Sequence, residues 1–166
     1  MEVEVILDGR EPLAEVVSRD AAVSALFQRE YAALVRLAHL ITGSNEAAED
    51  VVQESFVKMY RNWDRADQPG AYLRTIVVNG CRSWHRRRRL ERERLPRPVA
   101  EGVDGEAREL LDALAGLGLR QRTALVLRFY ADMSETEIAE ALGCRRGTVK
   151  SLVHRGLREL ERMIER

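Results

Sequence analysis

The sequence predicts an all-α protein: two small helical domains joined by a flexible linker, with the C-terminal domain a helix-turn-helix. Apolar residues recur at helical spacing along most of the chain. A segment with prolines and glycines and no periodicity, Leu95-Pro96-Arg97-Pro98-Val99-Ala100-Glu101-Gly102-Val103-Asp104-Gly105, interrupts them as a linker. Near the C-terminus, Ser134 with Glu137 three residues on forms a capping box, Gly143 permits a left-handed turn, and a basic amphipathic segment follows. The expected divisions are an N-terminal extension at 1–18, a first domain at 19–94, a linker at 95–106 and a second domain at 107–166.

The opening alternation Glu2-Val3-Glu4-Val5 resembles a strand without a partner, so the extension reads as disordered or as a short docking segment. From Asp20, the residues Val23, Leu26, Phe27, Leu34, Leu37 and Ile41 define a first helix that Gly43 closes. Ser44 is placed to cap the second, Glu46 to Trp63, which buries Val51, Val52, Ser55, Phe56 and Met59 and opens with acids suited to the helix dipole. After a loop from Asp64 to Gly70, Pro69 starts a third helix through Leu73, Ile76, Val77 and Cys81 into Arg86-Arg87-Arg88-Arg89. Beyond the linker, Leu110 to Leu117 and Arg120 to Tyr130 give two helices before the helix-turn-helix, whose second helix turns Val149, Leu152, Val153 and Leu157 inward.

Twenty-seven basic and 27 acidic residues cancel to a net charge of zero, but the signs are segregated: the start is acidic, while Arg86 to Arg89 and the last helices are basic. Such asymmetry points to nucleic acid on some faces and protein on others. Cys81 and Cys144 lie in unrelated contexts, which gives no disulfide framework or metal spacing. Cys81 and His85, at i and i+4, read as a packed pair rather than half of a metal site. No cofactor and no catalytic constellation is expected. With no signal-peptide pattern and no apolar run of membrane-spanning length, the protein is expected to be cytoplasmic and to have no membrane partner.

The polar face of the last helix presents Arg145, Arg146, Thr148, Lys150, Ser151, His154 and Arg155, donors of the kind that meet phosphates and guanine edges in a major groove. An ordinary helical hairpin with a solvated basic face is the competing reading. The agreement of capping box, turn and small residues favours DNA.

Two motif sets carry a family resemblance. Ala48-Glu49-Asp50-Val51-Val52-Gln53-Glu54-Ser55-Phe56, then Gly70-Ala71-Tyr72-Leu73-Arg74-Thr75-Ile76-Val77-Val78-Asn79 leading into the arginine run, resembles the first conserved domain of bacterial sigma factors. Leu119 to Tyr130 with the helix-turn-helix is similar to the second, and the order and spacing match the small extracytoplasmic-function group from about Asp20 onward. The resemblance implies promoter recognition and duplex opening together with bacterial core RNA polymerase, on promoter DNA in both duplex and melted form. An anti-sigma factor is a further candidate partner.

By the same resemblance, Asp50, Gln53 and Glu54 dock on the polymerase, while Trp63, Arg65, Arg74, Asn79, Arg82 and Arg86 serve the minus-ten element, with the loop from Trp63 to Gln68 and Asn79 forming a pocket for a flipped base. The last helix serves the minus-thirty-five element. Trp63 and Trp84 read equally well as core anchors. Relatives place a serine N-cap where Arg145 stands, so the recognition helix is expected either to start later, from Gly147 or Thr148, or to be frayed until it meets DNA. A conventional helix-turn-helix regulator is the alternative function, and a module that sequesters another sigma factor a third.

Overall fold

The computed structural model describes residues 13–91 and 105–164, and every regular element among them is helical. The linker expected at 95–106 lies outside the described residues except for 105 and 106, which open a helix.

The first half is three helices, α1 (Leu13–Thr42), α2 (Asn45–Arg61) and α3 (Pro69–Glu91). Helix α1 begins before the expected start at Asp20, so residues 13–18 of the N-terminal extension are helical rather than disordered. Gly43 ends α1 with φ +72°, and the Ser44 hydroxyl accepts the Ala47 amide at 3.3 Å to start α2. Helix α2 stops at Arg61, short of Trp63, because the chain tightens into a 3-10 turn at Trp63–Arg65. Leu37, Ile41, Val52, Met59, Leu73, Val77 and Cys81 fill the space between the three helices with almost no exposure. Each of the aliphatic and methionine side chains among them contributes about 1.5–3 kcal/mol by burial. Gly80 lets α3 approach α2, since a Cβ there would lie 2.7 Å from Val51 Cγ1.

The second half contains α4 (Gly105–Gly116), α5 (Leu119–Leu125) running into a π-helical turn at Val126–Tyr130, α6 (Glu135–Leu142) and α7 (Arg146–Ile164). The capping box forms: the Ser134 hydroxyl accepts the Glu137 amide at 3.3 Å, and Glu137 accepts the Ser134 amide at 2.8 Å. Gly143 takes the left-handed conformation, φ +60°. Ile138, Ala139 and Leu142 on α6 pack with Val149 and Leu152 on α7. Leu157, expected inside, is 43% exposed, because it lines an open apolar groove together with Leu40 of α1, Leu110 and Leu114 of α4 and Phe129 of the π-turn.

The two halves share one core. A continuous buried cluster runs from Leu26 on α1 to Leu152 on α7, as the C-terminal turns of α1 pack against α5 and its π-turn. Polar groups reinforce the seam. Arg122, 7% exposed, donates from Nη1 to the Ile41 carbonyl at 2.9 Å and from Nη2 to the Ala115 carbonyl at 2.8 Å. The same Ile41 carbonyl accepts from His85 Nε2 at 2.9 Å, and Arg36 donates to the Tyr130 hydroxyl at 2.9 Å. These two carbonyls end α1 and α4, where helices leave oxygens without intrahelical partners, so the guanidinium satisfies acceptors that burial would otherwise orphan.

Candidate polymerase and nucleic-acid interfaces

Four surfaces emerge from this scaffold. On α2, Asp50, Gln53 and Glu54 are all exposed, opposite the buried Val51, Val52 and Ser55. Lys58 pairs with Glu54 at 2.9 Å, and this hydrogen-bonded cation holds the Glu54 carboxyl below its ordinary range.

The second surface joins the 3-10 turn to α3. Arg65, Asn79 and Arg86 are exposed, whereas Trp63, Arg74 and Arg82 are half-buried. Trp63 and Trp84 both pack against the core cluster, which makes each partly an anchor; Trp84 also takes the Arg88 guanidinium over its ring at 5.3 Å and the His85 ring edge-on. Arg86 reaches the Ser83 hydroxyl at 3.4 Å. The arginine run divides as helical geometry requires, Arg86, Arg87 and Arg89 outward and Arg88 half-buried. Cys81 is buried, its thiol pushed up to about 12 by desolvation, and His85 is turned to the Ile41 carbonyl. The two do not converge as ligands, and among the described residues no group of three or more His, Cys, Asp or Glu side chains could hold a metal.

The third surface is the outer face of α7, where Arg145, Arg146, Thr148, Lys150, Ser151, His154 and Arg155 are all exposed. The helix starts neither late nor at Gly147 or Thr148: the Arg145 carbonyl accepts the Thr148 and Val149 amides at 2.9 and 3.2 Å, which puts Arg145 at the cap position. The backbone forms the cap without a side-chain acceptor because the preceding turn, with Cys144 N–H on the Ala139 carbonyl at 2.9 Å, already fixes the entry angle. Glu135 on α6 lies 3.4 Å from Arg146 Nη2 and 3.9 Å from Lys150 Nζ. Arg155 folds back to the Ser151 carbonyl at 3.2 Å, and Ser151 to the Gly147 carbonyl at 3.0 Å.

The second and third surfaces meet at α6. Arg74 is close enough to Glu137 to help depress its carboxyl, after the larger effect of the Ser134 side-chain and backbone hydrogen bonds. Sequence reasoning missed the seam residue Arg122. Its position one turn before Val126, within a run that buries Thr123 to Leu127, was the available signal. The fourth surface is the apolar groove of about 330 Å³ lined by Leu40, Leu110, Leu114, Phe129, Leu157 and Leu160, with Phe129 63% exposed.

Comparison with known proteins matches the chain in two blocks, residues 26–91 to sigma-70 region 2 and residues 107–160 to sigma-70 region 4. It is 38% identical over 142 residues to the RNA polymerase sigma-E factor of Streptomyces avermitilis, covering 80% of this chain and 79% of that one. It is 31% identical over 154 residues to the ECF RNA polymerase sigma factor SigL of Mycobacterium tuberculosis, covering 84% and 87%. Among solved structures, the sigma factor RpoE of Bartonella quintana in complex with the anti-sigma factor NepR superposes with TM-score 0.73 at 25% identity, over 86% of this chain and 96% of that one. CnrH in complex with the cytosolic domain of CnrY gives TM-score 0.70 at 26% identity, over 92% and 94%. The paired motifs, their order and these similarities place the chain in the extracytoplasmic-function group of bacterial RNA polymerase sigma factors, with region 2 in its first half and region 4 in its second.

Proposed function

We propose that this sigma factor engages core polymerase through Asp50, Gln53 and Glu54, the minus-ten element through the loop from Trp63 to Gln68 with Asn79, Arg65, Arg74, Arg82 and Arg86, and the minus-thirty-five element through the exposed face of α7. The family consists of transcription-initiation factors rather than enzymes. The observation that carries the reading is α7 itself: the helix buries Val149 and Leu152 and, with Arg145 at its cap, keeps seven donor-rich residues exposed, the arrangement a recognition helix needs. Arginine and lysine on this face suit guanine edges or phosphates, and Thr148 and Ser151 suit either. The α3 surface suits a single strand, with cations for the backbone and aromatic and amide groups for bases.

The shared core has a mechanistic consequence. Minus-ten and minus-thirty-five elements stand about 25 base pairs apart, about 85 Å at roughly 3.4 Å per pair, whereas here α6 packs directly on α3. Simultaneous use of both surfaces therefore requires the halves to separate. A linker of about a dozen residues stretches to roughly 40 Å, and the breadth of the domains makes up the remaining span. Polymerase docking supplies the free energy for that opening. The apolar groove suits an amphipathic helix of an anti-sigma factor, which would hold the halves in contact. No helix among the described residues is long and apolar enough to cross a membrane.

In vitro transcription tests the reading. With core polymerase the chain should start transcripts at a defined promoter. Duplex binding without initiation would identify a conventional helix-turn-helix regulator instead.

A further inference from the structure

We propose that Arg19 is a positioning residue for the base-capturing loop, bracing it from outside region 2; this rests on the assignment of the loop from Trp63 to Gln68 to the minus-ten element. Arg19 lies on α1 ahead of residue 26, where the similarity to region 2 begins. Its side chain is only 12% exposed, and Nη2 donates to Asp64 Oδ2 at 2.8 Å. Its guanidinium also lies 5.7 Å from the ring centroid of Tyr60. One planar group thus ties the last turn of α2 and the 3-10 turn at Trp63–Arg65 to α1, across 45 residues of sequence.

The loop needs such a brace. Its own backbone bonds are local, Arg65 N–H to the Asn62 carbonyl at 3.0 Å and Ala66 N–H to the Trp63 carbonyl at 3.1 Å. A three-residue 3-10 turn held by bonds of this kind is weakly self-determined. Capture of an extruded base rewards a pocket that is already in place, because ordering the loop at that moment would subtract from the binding that holds the base. Arginine can pair with Asp64 and stack on Tyr60 together; lysine, a point charge on a flexible stem, cannot. With its side chain 12% exposed and its guanidinium engaged by Asp64 and Tyr60, Arg19 acts through the loop.

The test uses the full chain with core polymerase, on a promoter carrying a fluorescent base at the flipped minus-ten position, as duplex and as premelted template. Arg19→Lys and the solvent-side variant Asp64→Ala should each lower the open fraction on duplex by about threefold to tenfold, within the lower part of the range for a pairwise coupling between contacting groups. Both should also weaken discrimination among bases at the flipped position, and their double combination should be no worse than either alone. If both variants open and discriminate as the parent does, or if Arg19→Lys lowers opening only in step with thermal stability while base discrimination is unchanged, the positioning role is overturned. Arg65→Ala and Gln68→Ala separate this failure from that of the loop assignment. If they too leave opening and discrimination unchanged, the assignment falls and the proposal with it; if they impair both while Arg19→Lys and Asp64→Ala do not, only the role of Arg19 falls.

Discussion

Helices α3 and α7 are both rich in arginine, yet the fold uses them differently. Helix α7 separates its residues by face, with Val149 and Leu152 inside and six candidate side chains outside, and Arg145 is exposed at its cap. Helix α3 grades its cations: Arg86, Arg87 and Arg89 project, Arg74 and Arg82 are half-buried, and Arg88 lies over Trp84. Under the proposed roles the contrast has a physical cause. A rigid duplex groove is read by projection, so the reading helix needs only to stand clear of its supports. An unstacked strand is held by enclosure, so its cations and aromatics are woven into the packing that shapes the pocket.

The largest expected effect comes from cutting the seam that joins these two regions. Arg122→Ala removes a buried guanidinium that serves carbonyls at the ends of α1 and α4. It should cost about 3 kcal/mol, since buried acceptors lose their donors and a cavity is left. The wild-type chain, with one continuous core, should melt in a single cooperative transition by circular dichroism. The variant should resolve into two, with region 4 the weaker. A linker without core residues leads the sequence alone to predict two independent units, so the melting curve of the parent decides between that expectation and the shared core.

Next in size, Lys150→Ala or Arg155→Ala should weaken duplex binding by about 1–3 kcal/mol. A base contact would show relaxed specificity, and a phosphate contact a uniform loss with a shallower salt slope. Salt titrations of binding to matched and mismatched duplexes distinguish them. Because Lys150 shares Glu135 with Arg146, whereas Arg155 folds onto its own helix, the two variants should not behave alike. If neither changes binding, α7 does not enter the groove and the contrast with α3 collapses.

Much of this was legible in the sequence because it depends on local rules. The capping box at Ser134, the left-handed Gly143, the cap at Ser44 and the entry at Pro69 are decided within four residues, and the structure shows each. The outward face of α7 follows from period alone. What the sequence did not disclose is non-local. The Arg122 seam joins residues 81 apart, and the Arg19 brace joins residues 45 apart; neither has a periodic signature. The start of α7 at Arg146 also escaped, because the carbonyl of Arg145 caps the helix where the sequence rule looks for a side chain. Arg74 shows the same limit: its charge is evident, but its partial burial beside Glu137 depends on how the halves pack.

A smaller effect, about 1–2 kcal/mol, is expected for Asn79→Ala on promoter opening, a fraction of the few kcal/mol that base extrusion costs. Asn79 is exposed on α3, which leaves its amide available to a base. A premelted template removes most of the extrusion cost in advance and should rescue the variant. Equal defects on duplex and premelted templates would make Asn79 a general DNA contact, and the minus-ten surface would then work by projection, as α7 does.

The smallest expected effect lies where the two surfaces meet, at the capping box of α6. Ser134→Ala should cost about 1 kcal/mol, the usual loss when a side-chain cap is removed. Its partner Glu137 gives the site a pH dependence of defined sign. The hydrogen bonds with Ser134 lower the Glu137 carboxyl below its unfolded value, with Arg74 adding in the same direction. A carboxyl lowered in the folded state binds fewer protons there than in the unfolded chain, so its stabilisation is present above the unfolded value of about 4.3 and is lost as pH falls through the folded one. Above pH 6, Glu137→Gln should therefore be less stable than the parent, and the difference should begin to shrink as pH falls below about 4.3 and vanish only in acid below the lowered folded-state value. Because Arg74 supplies part of the shift from the other half, Arg74→Gln should reduce the pH-dependent difference slightly, and only while the halves are in contact. Urea unfolding of the parent, Glu137→Gln, Arg74→Gln and the double variant, at pH 7 and pH 4, reads this coupling directly. If the two substitutions are strictly additive at pH 7, the α3 and α6 surfaces are electrostatically independent, and the half-burial of Arg74 comes from packing alone.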